Sequence, residues 1–390
     1  MNKVKENLLN HLHNICLVPS RHVGSPGVVA AANYIEETFK QYGYTDVMQE
    51  KFPSYGWKYN NMLLVDLDNG CCEVPGAMPC FFSQSADVID VPLWLEDKDL
   101  KELTSSKVKG RLCLVEFFSE AADIRGRNGI AETLDELGAA GAIFISDSSY
   151  HSTCAPSTKM QRSYNLKNLG TAVVSEAGAY YLSRNRNHRY KLFIDANTYN
   201  SQSSNVVAIR PGTGSKRVIF GSHHDASPLT QGAADNGSGV ACILELSRLL
   251  KDEFPEWTFE FVSFDAEEYA KDGFAAGSKA YIDSHPDREW EFFMNFDHIG
   301  VAWAEDVLHL GRKELLPNFS SNYPFFPIKN GGDDKTFDAK GIPTLWYNSH
   351  CRFKDFHTSL DTIGTLNMSN MTSVLMDAIH VIKQICEKTK

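Results

Sequence analysis

The sequence predicts an α/β protein with a three-layer α/β/α architecture, in which one mixed sheet carries helices on both faces. From residue 205 onward, short apolar runs that suit buried strands alternate with amphipathic helical segments. The chain has 390 residues, which is more than a single core usually organises. Composition shifts after residue 69. We therefore expect residues 1–69 and 201–390 to form the main domain and residues 70–200 a smaller inserted α/β domain.

Composition is typical of a globular protein and argues against two kinds of partner. Hydrophobic residues make up 43% and charged residues 22%, with a net charge of −11 at pH 7. That charge disfavours a surface for nucleic acid or for an anionic membrane. No apolar run is long enough to span a bilayer, and residues 1–18 have an amphipathic pattern rather than that of a signal peptide.

Cysteine usage indicates a reducing compartment. The nine cysteines are odd in number and scattered, and several lie in apolar runs. We therefore expect reduced, buried thiols and a cytoplasmic location. The cluster of Cys71, Cys72 and Cys80 lacks the paired spacing of a structural zinc site.

The N-terminal region is expected to add two helices and two strands to the main domain. Residues 1–18 form the first helix. Ser25 and Pro26 suit the N-cap and first position of the second helix, and Gly43 suits the residue after its end. The strands are expected at 45–52 and 57–66.

Residues 70–200 have an α/β pattern of their own. None of its segments concentrates His and acidic residues as the later ones do. The insert could be purely structural, and if it has a functional role we expect it to wall or cover a site in the main domain. A helix is expected at 130–137. Strands are expected at 110–118, 142–146, 170–175 and 190–195.

The main domain resumes with alternating strands and helices. Helices are expected at 239–251, where apolar residues share one face, and at 369–387. Strands are expected at 206–210, 218–222, 258–265, 291–297, 307–310 and 344–347.

The most informative stretch is 218–240, where an apolar run is followed by polar residues that suit a metal. The run 218–220 predicts the end of a buried strand, and His223 and Asp225 follow it. A loop rich in Gly and Ala then leads to Asp235. Imidazole and carboxylate are zinc ligands, and a carboxylate close to a ligand His can fix its tautomer. Taken alone, a His and an Asp after a strand more often form an ordinary hydrogen-bonded pair than a metal site.

Three later segments repeat this arrangement. Glu267 and Glu268 follow one expected strand, Asp297 ends the next, and His357 lies near the C-terminus. Because the carboxyl ends of strands in an open α/β sheet meet at one edge, we expect these side chains to converge. Two His and three carboxylates form a shell for two zinc ions per chain, and one further acid would act as general base. Alone, the Glu-Glu pair would suit a solvated loop end.

Several separated motifs stand in one order along the main domain. They are Gly221-Ser222-His223-His224-Asp225, Gly232-Ala233-Ala234-Asp235-Asn236-Gly237-Ser238-Gly239, Asp265-Ala266-Glu267-Glu268, Asn295-Phe296-Asp297, Gly332-Asp333-Asp334 with Gly341-Ile342-Pro343, and Phe356-His357-Thr358-Ser359-Leu360-Asp361-Thr362. With these motifs the chain resembles the di-zinc aminopeptidases of metallopeptidase family 28. Arg21 and the stretch 24–27 resemble the family's N-terminal signature. The resemblance covers residues 1–65 and 200–390, and the insert resembles a protease-associated domain.

This resemblance implies a phosphorylase/hydrolase-like mixed sheet, peptide substrates and a role for each motif residue. It assigns His223 and Asp297 to one zinc ion, Glu268 and His357 to the other, and Asp235 to a bridge between them. It makes Glu267 the general base, which takes a proton from the attacking water and returns it to the leaving amine. It makes Asp225 the residue that orients His223.

The sequence departs from the family at two points. The loop 269–278 after Glu268 is longer than usual, and Asp334 stands where many relatives have His. His224 and His298 each follow an assigned ligand and are expected to point away from the metals. Four residues before His357 could line a specificity pocket or simply pack around a loop. They are Trp346, Tyr347, His350 and Phe353.

Other functions remain open on the sequence alone. A dipeptidase or carboxypeptidase would use the same metal residues. A glutaminyl cyclase would share the fold but use a single zinc ion, and the expected insert argues against it. A binding module on an inactive peptidase fold is disfavoured because the ligand set and Glu267 are complete.

Overall fold

The computed structural model describes residues 2–96, 102–115, 124–145, 166–268, 275–328, 332–350 and 356–388, without the side chains of 124–128 and 350. The helices are α1 (Asn2–Cys16), α2 (Pro26–Gln41), α3 (Ser105–Val108), α4 (Ile124–Glu136), α5 (Glu176–Arg184), α6 (Ser238–Leu250), α7 (Ala276–Ser284), α8 (Asp333–Ala339) and α9 (Met368–Lys388). The strands are β1 (Asp46–Asp66), β2 (Cys72–Glu73), β3 (Ala77–Pro79), β4 (Ala86–Asp90), β5 (Leu93–Leu95), β6 (Leu112–Val115), β7 (Gly141–Ile145), β8 (Thr171–Val174), β9 (Tyr190–Arg210), β10 (Arg217–His223), β11 (Thr258–Phe264), β12 (Phe292–Phe296), β13 (Glu305–Gly311), β14 (Phe325–Pro327) and β15 (Thr344–His350).

The main sheet is mixed, and its centre is parallel. The strands run in the order β14-β13-β15-β12-β10-β11-β9-β1-β2, with β4 also paired to β9. Strands β15, β12, β10 and β11 are mutually parallel neighbours. Their carboxyl ends therefore meet at one edge of the sheet, which is where ligands bind in such folds.

Helices cover both faces of this sheet, as the sequence predicts. Alternate strand residues belong to different packed clusters. Phe220 packs on the side of α1, α2, α6 and α9, whereas its neighbour Ile219 packs on the side of α7 and α8. Since side chains alternate across a strand, this division defines three layers. The expected buried thiols include Cys16, Cys242 and Cys386, which lie in the first of these clusters.

Two strands are much longer than the sequence predicts. The expected strands at 45–52 and 57–66 are one continuous strand, β1, and those at 190–195 and 206–210 are the single strand β9. They pair antiparallel from Asp46 opposite Ile209 to Asp66 opposite Tyr190, with one irregularity near Tyr59. The prediction of separate strands is wrong, because β9 supplies hydrogen-bond partners along the whole of β1.

A second sheet has the order β3-β8-β7-β6-β5 and lies within residues 77–174. One face packs against residues of the long strands, and the other packs against α4. The predicted limits of the insert, 70–200, stay a prediction, and β9 crosses residue 200 without a break. Within the described ranges, no helix combines the length and apolar character needed to cross a bilayer.

Candidate metal centre

The parallel strands deliver the predicted ligands to one edge of the sheet. His223 is the last residue of β10, and Asp297 directly follows β12. Glu267 and Glu268 follow β11, which pairs in register with β10 up to His223. His357 comes after β15, the parallel neighbour of β12. The four strands thus bring together residues from four separate segments.

The carboxylate of Asp235 lies between the two histidines. Its Oδ1 is 3.3 Å from Nε2 of His223, and its Oδ2 is 2.7 Å from Nε2 of His357. On the first side, Asp297 Oδ1 lies 3.5 Å from Nε2 of His223. On the second side, Glu268 Oε2 lies 3.5 Å from Nε2 of His357. These atoms therefore form two groups, each with one His and two carboxylates, and Asp235 belongs to both groups.

This donor set fits zinc. Zinc binds His nitrogen and carboxylate oxygen at about 2.0–2.2 Å, so tetrahedral ligands lie roughly 3.4 Å apart. Three of these four separations, 3.3, 3.5 and 3.5 Å, match that spacing. In addition, the buried Nε2 of His223 makes no hydrogen bond within the described part of the chain, although three carboxylates lie within 4.0 Å of it. A cation between these atoms would satisfy all of them.

The turn that carries Asp235 is held from both sides. Asp361, fully buried, accepts the backbone N–H groups of Ala234 at 2.8 Å and Asp235 at 3.1 Å. Burial raises the pKa of Asp361 to about 7. The guanidinium of Arg21 donates to the carbonyls of Gln231 at 2.6 Å and Gly232 at 2.9 Å. These bonds fix where the shared carboxylate stands.

Arg21 also ties this turn to the strand that ends in His223. Its Nε donates to the carbonyl of His224 at 2.9 Å, and Nη1 donates to that of Ile15 at 3.3 Å. Arg21 is only 1% exposed. One buried side chain therefore links α1, β10 and the Asp235 turn.

Asp225 links His223 to the two glutamates. Its Oδ1 and Oδ2 accept the backbone N–H groups of Glu267 at 3.0 Å and Glu268 at 3.1 Å. Nδ1 of His223 lies 3.2 Å from the carbonyl of Asp225 and 3.4 Å from its Oδ1. Asp225 is thus in place to orient the imidazole, and it also sets the backbone from which Glu267 and Glu268 project.

The two glutamates face different histidines. Glu267 Oε2 lies 4.0 Å from Nε2 of His223, whereas Glu268 lies near His357. Both residues lie in a bent segment just after β11, so this division is set by the local backbone and not by strand alternation. Both glutamates are buried, so the alternative of a solvated loop end is wrong for them.

The pKa values of the neighbouring residues His223 and His224 shift in opposite directions. Burial alone would lower the pKa of His223, but the carboxylates of Asp225, Asp235 and Asp297 outweigh burial and hold it well above its ordinary value. The next residue, His224, has no such surround. Burial lowers its pKa to about 4, and its Nδ1 lies 3.1 Å from Ser263 Oγ, away from the ligands as expected.

Of the four residues before His357 that could line a pocket, Trp346 and Tyr347 have described side chains. Tyr347 is fully buried and donates its hydroxyl to Asp377 at 2.8 Å, so it belongs to the core. Trp346 stacks on His309 with ring centroids 4.5 Å apart. Phe353, the side chain of His350 and residues 269–274 of the long loop lie outside the described residues.

Two residues that support the site, Asp361 and Gly332, have no role that the sequence predicts, although both lie in the motifs quoted above. Asp361 holds the Asp235 turn, and Gly332 lies directly against Glu267. For Asp361 the sequence signal is its place in the same motif as His357, a proposed ligand, whereas the motif of Gly332 contains no proposed ligand. For Arg21 the sequence offers only its place in an N-terminal signature.

The segment that carries all five proposed ligands matches the sequence profile of a known protein family. The sequence profile described as peptidase family M28 matches residues 205–382. That stretch holds His223, Asp235, Glu268, Asp297 and His357. This part of the chain belongs to peptidase family M28.

Curated relatives of the M28 domain carry aminopeptidase names. Aminopeptidase YwaD of Bacillus subtilis is 28% identical over 165 residues, which cover 40% of this chain and 34% of the relative. A probable lipoprotein aminopeptidase, LpqL of Mycobacterium tuberculosis, is 24% identical over 340 residues, covering 82% of this chain and 63% of the relative. The chain thus spans about a third to just under two thirds of these relatives' lengths.

Solved structures share the fold along nearly the whole chain. A peptidase M28 precursor from Shewanella amazonensis has a TM-score of 0.77 at 17% identity, covering 98% of this chain and 93% of its own. A zinc aminopeptidase from Bacillus subtilis has a TM-score of 0.76 at 17% identity, covering 97% and 94%. The glutaminyl cyclase of Tannerella forsythia reaches 0.52 at 13% identity, covering 97% of both chains. These likenesses confirm the predicted α/β fold of a family M28 protein.

Proposed function

We propose that this chain is a zinc-dependent exopeptidase that releases N-terminal residues from peptides. One observation carries the proposal: Asp235 is shared by two groups of metal-binding atoms, each completed by one His and one further carboxylate. A structural zinc site needs one closed shell of ligands, whereas two adjacent sites sharing a carboxylate are typical of hydrolases. The aminopeptidase names of the curated relatives support the same conclusion.

In this proposal each zinc ion has its own ligands and one in common. His223 and Asp297 would hold one ion, Glu268 and His357 would hold the other, and Asp235 would be a ligand common to both. Zinc held there supplies Lewis-acid chemistry, lowering the pKa of water and polarising a carbonyl oxygen.

Glu267 is the proposed general base. The residue is 6% exposed, and its carboxylate lies on the same side as His223 without being part of either ligand group. It accepts a proton from the attacking water and delivers it to the amine that leaves when the peptide bond breaks. Asp225 keeps this carboxylate in place through the backbone N–H of Glu267 and keeps His223 in its ligand orientation.

Acidic residues around the ligands suit a substrate with a free N-terminal ammonium group. Such a group would be attracted to the carboxylates, and this attraction would favour cleavage one residue at a time from the N-terminus. A dipeptidase or carboxypeptidase would instead need a cation for the substrate carboxylate. A glutaminyl cyclase remains the other alternative, because it shares the fold. The cytoplasmic location, the protease-associated character of the insert and its covering role stay predictions.

A peptide panel tests the proposal directly. Peptides with free and with acetyl-blocked N-termini would be incubated with the protein plus zinc, or plus chelator, and followed by mass spectrometry. We expect stepwise loss of N-terminal residues from the free peptides only, and no reaction with chelator. Loss of C-terminal residues would move the function to a carboxypeptidase, and ring closure of N-terminal glutamine without cleavage would move it to a glutaminyl cyclase.

A further inference from the structure

Gly332 lies directly against the carboxylate of Glu267. A Cβ atom at position 332 would stand 1.8 Å from Oε1, 2.8 Å from Cδ and 3.3 Å from Cγ of Glu267. All three nearest atoms belong to that one side chain. Carbon atoms in contact lie about 3.5–4.0 Å apart, so any residue with a Cβ would force the carboxylate to move.

The backbone on both sides of this contact is anchored. The N–H of Gly332 donates to Asp334 Oδ1 at 3.0 Å, and Phe337 in the helix that follows stacks on Phe293 of β12 with centroids 4.0 Å apart. The N–H of Glu267 donates to Asp225, and its carbonyl accepts the N–H of Ala275 at 2.9 Å. The part that a new Cβ atom would displace is therefore the side chain of Glu267, which turns about single bonds.

We propose that Gly332 is a positioning residue that sets the place of the Glu267 carboxylate. This inference rests on the proposed role of Glu267 as the group that carries the proton. Oε1 touches Gly332, while Oε2 lies 4.0 Å from Nε2 of His223, so the carboxylate stands between the glycine and the metal ligands. A methyl group at position 332 drives the carboxylate out of this place. A general base works only when its oxygen lies about 2.6–3.2 Å from the atom that carries the proton, and a misplacement of about 1 Å can cost roughly a hundredfold in rate.

The test compares Gly332→Ala with a matched control, Gly129→Ala. Gly129 lies in α4, and a Cβ there meets no atom of the described residues within 4 Å, apart from its own helix backbone. For each variant we would measure kcat, KM, bound zinc per chain and the melting temperature. We expect Gly332→Ala to lower kcat roughly 10- to 100-fold, with KM and bound zinc close to those of the control.

Repeating the substitution in a Glu267→Asp protein tests whether the effect of Gly332→Ala on kcat depends on Glu267. Glu267→Asp withdraws the carboxylate by one methylene, about 1.5 Å, which leaves room for the new methyl group. Gly332→Ala should therefore cost much less kcat in the Glu267→Asp protein than in the wild type. If Gly332→Ala alone lowers the melting temperature or zinc content, the same shortened side chain should restore them.

The outcomes separate this inference from the proposed function. If Gly332→Ala keeps the wild-type kcat while Glu267→Gln is inactive, the positioning role is overturned. The proposed exopeptidase function then still stands. The positioning role is also overturned if Gly332→Ala costs as much, in rate or in stability, in the Glu267→Asp background as in the wild type. Full activity in Glu267→Gln removes the proposed base and the inference with it.

Discussion

Replacing Arg21 by Lys should weaken both the fold and the metal site. The guanidinium makes four hydrogen bonds to backbone carbonyls, at 2.6, 2.9, 2.9 and 3.3 Å. Lysine keeps the charge but cannot reproduce the planar fork that reaches the carbonyls of His224, Gln231 and Gly232 together. Hydrogen bonds to charged groups contribute about 1.5–3 kcal/mol each, so the loss of two lowers the free energy of unfolding by about 3 kcal/mol or more.

Part of this lost free energy should appear as weaker zinc binding. Two of the lost bonds hold the turn that carries Asp235, the ligand shared by both proposed sites. If binding has to restore that turn at a cost of about 1.4 kcal/mol, zinc affinity falls about tenfold.

Urea unfolding of the apoprotein and zinc titration against a competing chromophoric chelator would measure the two effects separately. Arg312→Lys is the matched control, because the side chains of Arg312 and its partner Asp338 are both partly exposed, and such a pair should contribute less than about 1 kcal/mol. The reasoning is refuted if Arg21→Lys changes unfolding by less than about 1 kcal/mol and leaves zinc affinity unchanged.

Three further predictions address the chemistry, the metal and the pH dependence. Glu267→Gln should lower kcat by about 10²–10⁴-fold with zinc still bound, measured by peptide hydrolysis and metal analysis, and retained turnover would exclude it as the base. Chelation should abolish peptide hydrolysis and lower the melting temperature, with both restored by zinc, because buried carboxylates then lack their cation. A melting temperature insensitive to chelator would contradict the metal site. Burial lowers the pKa of His11 from 6.5 to about 4, so His11 stays neutral in the fold while the unfolded chain gains a proton below pH 6.5. Stability should therefore fall by about 2 kcal/mol between pH 7 and pH 5 through His11 alone. His11→Gln should show a correspondingly smaller fall in urea unfolding, and an identical fall would contradict this assignment.

The centre of the sheet and the ligands at its edge could be predicted from the sequence because both depend on local patterns. The run that ends in Phe220 is apolar enough to be a buried strand, and His223 follows it within three residues. The same holds for β12 and Asp297. A buried parallel strand needs a continuous apolar run, and its polar residues can only follow it at the edge. The order of such segments was enough to predict which side chains converge.

The long strands β1 and β9 could not be predicted, because their interior lacks a strand pattern. Pro53 and Gly56 suggest a turn, and the opposite stretch of β9 is polar. Pro53 is tolerated because the other side of β1 is unpaired along the described strand until β2 joins at Val65 and Asp66. The continuity of each strand depends on having the other as its partner.

The sequence alone thus determined the fold class and the convergence of His223, Asp235, Glu268, Asp297 and His357, since strand burial and chain order are written in local residue patterns. Only the tertiary structure decided what holds these ligands. Asp361 accepts an N–H from a residue 127 positions away, and Arg21 donates to a carbonyl 211 positions away. Gly332 matters through the space that its missing side chain leaves for Glu267. Such contacts have no periodicity along the chain, because they depend on which buried atoms meet when the layers pack.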